Sequence, residues 1–150
     1  MDGSYPSEGA EAVAVLVDHA GQAPDLAFGS RQALAQLVVC EMHPLNNLRV
    51  RSYLRDELKL DDAALSRWYE HWIAEGFASL EALVRRFSGG RYCFGDAVSV
   101  ADVCFVPQVY NARRFNCDLA PYPTILRIAD GLRGDPAFAR AAPDGQPDAK

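Results

Sequence analysis

Residues 65–87 read LSRWYEHWIAEGFASLEALVRRF. Leu65, Trp68, Tyr69, Trp72, Ile73, Phe77, Leu80, Leu83, Val84 and Phe87 recur every three or four residues, which places them along one face of a long helix. Asp61 or Asp62 can cap its start, and Gly89-Gly90 ends it. Gly76 interrupts the apolar face at a cost of about 1 kcal/mol against alanine. A glycine among such large neighbours implies the close approach of another helix.

Toward the N-terminus, Leu34, Leu37, Val38 and Met42 keep the same rhythm, with Ser30 placed as an N-cap. Pro44 cannot donate to the carbonyl four residues back, so a kink is expected there. The pattern resumes at Leu45, Leu48, Tyr53 and Leu54, so 31–58 reads as one bent helix or two abutting ones. Toward the C-terminus, a short extended piece at 92–96 precedes Ser99-Val100-Ala101-Asp102, which has the form of a capping box. The helix it opens should bend at Pro107 and run to about Arg114, with Val103, Val106 and Tyr110 on its apolar side. Two short helices follow, Thr124 to Leu132 and Pro136 to about Ala141, the second capped by Asp135. No strand pattern of useful length appears. The fold class is therefore all-α, a bundle of about five helices.

The 150 residues are one domain's worth of chain, enough to bury a substantial core. The net charge of −5 argues against nucleic acid as the main partner. It lies entirely in the first thirty residues, where Asp2, Glu8, Glu11, Asp18 and Asp25 meet no Lys or Arg. We divide the chain into an acidic leader, 1–29, and a helical domain, 30–150. The leader is either loosely ordered or docked on the domain through Val13, Val15 and Leu16. No apolar run is long enough for a membrane span and no basic-then-apolar signal opens the chain, so the expected location is cytoplasmic. Cys40, Cys93, Cys104 and Cys117 form no C-x-x-C pair. The first three stand beside apolar residues, as buried free thiols do. His19, His43 and His71 are too scattered for a metal site, so none is expected.

Several strings agree in order and spacing with one family. They are HPLNNLRV at 43–50, Trp72-Ile73-x-x-Gly76-Phe77-x-x-Leu80-Glu81, the box Ser99-x-x-Asp102, VPQVYNARRF at 106–115, Asp118-Leu119, Tyr122-Pro123-Thr124-Ile125 and Gln146-Pro147-Asp148. From about Ser30 to Asp148 the chain resembles the C-terminal helical domain of the zeta-class glutathione transferases, the maleylacetoacetate and maleylpyruvate isomerases. That family begins with a thioredoxin-like domain carrying a Ser-Ser-Cys-type motif. No βαβ pattern and no such motif precede Ser30, so that domain is expected to be absent from this chain.

The resemblance implies isomerisation about a conjugated C=C bond of a small dicarboxylic keto acid in aromatic catabolism. The glutathione thiolate adds to the bond, which rotates as a single bond before the thiol leaves. The thiolate is generated by the thioredoxin-like domain, so no catalytic residue is expected in this chain, and the chain alone should be inactive and hold glutathione weakly. The resemblance puts Arg49 and Arg114 near the substrate carboxylates, with Arg113 as the alternative to Arg114. It puts His43, Asn47, Leu48 and Arg49 near glutathione. Arginine suits this task because it is always charged and grips a carboxylate through two parallel hydrogen bonds. Asn46 and Asn47 can equally be local backbone partners that support the helix break. Ser99 and Asp102 are read as structural. The partners implied are a second copy of the chain in a homodimer and a separate thioredoxin-like domain. The competing reading is a non-catalytic interaction module that keeps the same fold.

Overall fold

The computed structural model describes residues 26–143, apart from Ser88, together with Gln146. The leader, with its apolar stretch 12–17, and the rest of the tail lie outside the described residues.

Helix α1 runs Leu26–Gln36 and passes into a π-helical segment, Leu37–Met42. Then come α2 (His43–Asn46), α3 (Leu48–Asp56), α4 (Asp62–Phe87), α5 (Val100–Arg114), α6 (Pro123–Arg133) and α7 (Pro136–Ala141). One isolated bridge, Tyr92 to Gly95, is the β pairing among the described residues. Gly95 takes φ +78° in that turn, a conformation that suits glycine. The fold is all-α.

The long helix α4 is the spine. Tyr69, Ile73, Phe77, Leu80 and Val84 are each at most 2% exposed, as their spacing requires. The π segment and α2 pack across its middle, α6 lies against its second half, and α1 lies along α5. Leu34, Leu37, Val38 and Met42 are buried in the same cluster, with Phe105, Val109 and Ala112 from α5 and Ile125, Ile128 and Leu132 from α6. Burying a side chain of this size contributes on the order of 2 kcal/mol.

The close approach at Gly76 is to the π segment. A Cβ there would come within 2.7 Å of the Met42 sulfur, and nearer still to its Cγ. Asp61 caps α4, its carboxylate accepting the Ala64 N–H at 2.7 Å. Asp135 caps α7 through the Ala137 N–H at 2.8 Å.

Four local readings are corrected. Ser30 is no N-cap: α1 begins at Leu26, within the stretch assigned to the leader, and Ser30 is buried inside the helix. The interruption expected at Pro44 falls on either side of it. The His43 N–H bonds to the Val38 carbonyl, closing the wide π turn, and Pro44 sits comfortably in the first turn of α2. The chain then breaks at Asn47, which is extended at φ −74° and ψ 162°. Leu48 and Tyr53 accordingly point outward rather than continuing the core face.

The third correction is the face of α5. Val103 is 55% exposed, whereas Ala101, Asp102, Phe105, Gln108, Val109 and Ala112 are buried. The helix runs through Pro107 without ending. Cys40, expected to be buried, is exposed; Cys93 is buried, and all four thiols are free.

Candidate functional site

Asn47 ties two helix ends together. Its Oδ1 accepts the Val50 N–H at 3.1 Å, capping α3, while its Nδ2 donates to the carbonyls of Pro44 at 3.1 Å and His43 at 3.3 Å. The bent segment is thereby fixed by one side chain. His43 and Arg49 are exposed on it, and Leu48 is 76% exposed. Trp68 of α4 braces the same segment, its indole N–H donating to the Leu45 carbonyl at 2.9 Å.

Beneath this bend a polar relay crosses to α5. Asn46 and Gln108, both buried, meet with Asn46 Nδ2 donating to Gln108 Oε1 at 3.1 Å. That bond turns the other end of the Gln108 amide toward His43, with Nε2 3.4 Å from Nδ1. With the amide nitrogen turned this way it can donate to Nδ1, which favours the tautomer of neutral His43 with its proton on Nε2. The relay was not foreseen from sequence, although Gln108 stands within a quoted string.

A second group of residues gathers where α3, α4 and the end of α5 meet. The Arg51 guanidinium lies 4.2 Å from the Phe115 ring centroid and 6.0 Å from that of Tyr69. Arg114 lies 5.8 Å from the same Phe115 ring. The Tyr69 and Phe115 rings are themselves 4.3 Å apart. Burial pushes the Tyr69 phenol well up, nearby Cys117 adds to this, and the charges of Arg51 and Arg114 oppose it. The Tyr69 hydroxyl and Arg51 Nε are buried without hydrogen-bond partners among the described residues.

Of the two candidate arginines on α5, Arg113 is engaged in an ion pair with Asp130 at 2.9 Å. Arg114 is exposed and forms no ion pair among the described residues, and the same holds for Arg49. Arg51 was not singled out from sequence. Its signal is only its proximity to Arg49, and two residues along a helix point in different directions.

The residues read as structural form a dense cluster. Asp102, fully buried, accepts the Ser99 N–H at 2.8 Å and the Ser99 hydroxyl at 2.6 Å on one oxygen. Its other oxygen accepts the Cys93 N–H at 3.0 Å. A further carboxylate, quoted within a matched string but given no role there, is structural: Glu81, buried on α4, accepts the N–H groups of Thr124 and Ile125 at 3.0 and 2.9 Å. It thus caps α6 from another helix, where the helix dipole favours a negative charge. No group of three or more His, Cys, Asp or Glu that could hold a metal occurs among the described residues. No described helix is long and apolar enough to cross a membrane.

The helical bundle thus combines a buried capping box on α5 with a break at Asn47, between α2 and α3, beside exposed Arg49. The profile of the glutathione S-transferase C-terminal domain family matches residues 66–139, and the chain belongs to that family. Within it, the similarity is to the maleylacetoacetate and maleylpyruvate isomerases. A probable maleylacetoacetate isomerase of Vibrio cholerae is 51% identical over 118 residues, which cover 79% of this chain and 54% of that protein. The crystal structure of a maleylpyruvate isomerase from Pseudomonas aeruginosa superposes with a TM-score of 0.82 at 44% identity, covering 85% of this chain and 66% of that one. A maleylacetoacetate isomerase from Anaeromyxobacter dehalogenans, with glutathione bound in its active site, superposes with a TM-score of 0.74 at 40% identity, covering 81% of this chain and 54% of that one. The chain spans about half the length of the curated relatives it matches.

Proposed function

We propose that this chain is the substrate-holding helical half of a zeta-class, glutathione-dependent cis–trans isomerase acting on a maleylacetoacetate- or maleylpyruvate-like dicarboxylic keto acid. The observation that carries the reading is the exposed bend at 43–49, braced by Asn47 and Trp68, in a chain 51% identical to a probable maleylacetoacetate isomerase.

In this reading His43, Asn47, Leu48 and Arg49 face glutathione. The Nε2–H of His43 is a donor for a carboxylate or carbonyl of that ligand. Arg114, left without an acidic partner while Arg113 is paired, takes a substrate carboxylate, and Arg49 supplies a second cation. Positive charge at these points also stabilises the enolate that forms when the thiolate adds to the double bond. The thiolate itself needs donors that lower the thiol pKa. They belong to a thioredoxin-like domain, in the same protein or in a separate chain. Its docking surface is assigned to exposed Val98, Val100 and Val103, beside a groove of about 260 Å³ that Arg31 and Gln32 also line.

We expect a homodimer in the cytoplasm and no turnover by the chain alone. Calorimetric titration with glutathione tests the division of labour. The 150-residue chain should give no micromolar binding, and such binding would show that glutathione is held without the other half.

A further inference from the structure

We infer that Arg51, together with Arg114, forms a carboxylate subsite over the Phe115 ring, so that Arg51 helps determine which acids the site accepts. The inference rests on the isomerase reading and adds a residue to it.

Two guanidinium groups stand 4.2 and 5.8 Å from one ring centroid. Neither forms an ion pair among the described residues. A guanidinium held over a ring face by cation–π attraction keeps its edge N–H groups available as donors. Arg51 Nε is buried and unpartnered among the described residues, as is the hydroxyl of Tyr69, whose ring centroid lies 6.0 Å from the guanidinium. Buried donors left without a partner are rare in native folds. A carboxylate oxygen seated beside Phe115 would give these donors an acceptor. Arg49 does not duplicate this role: two positions away on α3, it is exposed and points elsewhere. That leaves Arg49 for glutathione or for the second carboxylate of the substrate.

The test uses the full chain and malonate as the dicarboxylate probe, without glutathione. Calorimetry gives the affinity, and the ring signals of Tyr69 and Phe115 in NMR report the place. Malonate should shift both rings. Arg51→Met and Arg114→Met should each weaken binding by about tenfold or more, the loss expected for one charge-assisted bidentate contact. Arg51→Lys keeps charge and stem but lacks the fork. It should bind between wild type and Arg51→Met, with unchanged near-ultraviolet circular dichroism, so that loss of fold is distinguished from loss of site. Arg133→Met, on the exposed side of α6, is the control for general charge. Equal binding by wild type and Arg51→Met overturns the inference, as does loss on Arg49→Met while Arg51→Met still binds. Failure of the isomerase reading is separate: it would appear as absence of turnover in the complemented enzyme, whatever the malonate result.

Discussion

Gln108 Nε2 stands 3.4 Å from His43 Nδ1, joining residues 65 apart in the chain. The contact decides which face of the imidazole can donate outward. In wild type the neutral ring should favour the Nε2–H tautomer, measurable from its ring ¹⁵N shifts. Gln108→Leu removes the restraint and should populate both tautomers. It also strands the Asn46 amide, so a loss of roughly 1–3 kcal/mol in stability is expected. A wild-type ring carrying its proton on Nδ1 would contradict the relay.

Asp102 accepts three hydrogen bonds while fully buried. Asp102→Ala leaves the backbone N–H groups of Cys93 and Ser99 without their acceptor. Stability should fall by roughly 3 kcal/mol or more in urea unfolding. Ser99→Ala removes one hydroxyl donor and should cost about 1 kcal/mol. Equal losses in the two variants would show that the carboxylate is not the hub.

Gly76→Ala sets two effects against each other. Helix propensity favours alanine by about 1 kcal/mol. The new methyl meets Met42 near the base of its side chain, where the side chain yields least, and overpacking costs about 1–3 kcal/mol. The variant should be less stable than wild type, and in a Met42→Ala background, where the clash is gone, the same glycine substitution should cost less. A stabilised Gly76→Ala would mean that the π segment yields freely.

Burial pushes the Cys117 thiol up to about 11, with Glu70 adding and its own backbone hydrogen bond opposing. Burial raises Cys93 further, with Asp102 adding to the shift. A raised acid holds its proton in the fold, so this stability is present below the ordinary thiol value of 9.0 and declines as pH rises above it. The urea midpoint should therefore drop between pH 9 and about pH 11. Burial holds the Cys117 thiol protonated at pH 8, so exposed Cys40 should be alkylated first. Mass spectrometry after brief iodoacetamide treatment checks the order.

The spine and the two short C-terminal helices were legible because their cues are local. Large residues at α4 spacing, Asp61, and the Asp135-Pro136 start all act within a turn or two. The buried face of α5 was not, because two of its buried residues, Asp102 and Gln108, are polar and are tolerated there only through partners elsewhere in the chain. Val103 looked like core but remains outside. The π segment was equally hidden: its packing against Gly76 is a tertiary contact. Glu81 reads as a solvated helix position until α6, some forty residues on, supplies the N–H groups it caps. Of the site, the strings drew attention to His43, Asn47, Arg49 and Arg114. Arg51 became visible only when the fold laid it over Phe115.

The most direct measurement is turnover of maleylacetoacetate with glutathione after the chain is joined to a thioredoxin-like glutathione-binding domain from an isomerase relative. The account predicts isomerisation by the joined protein, a loss of about a hundredfold or more in kcat/KM on Arg114→Ala, and none by either half alone. A joined protein that folds and binds glutathione yet leaves maleylacetoacetate unchanged would contradict it.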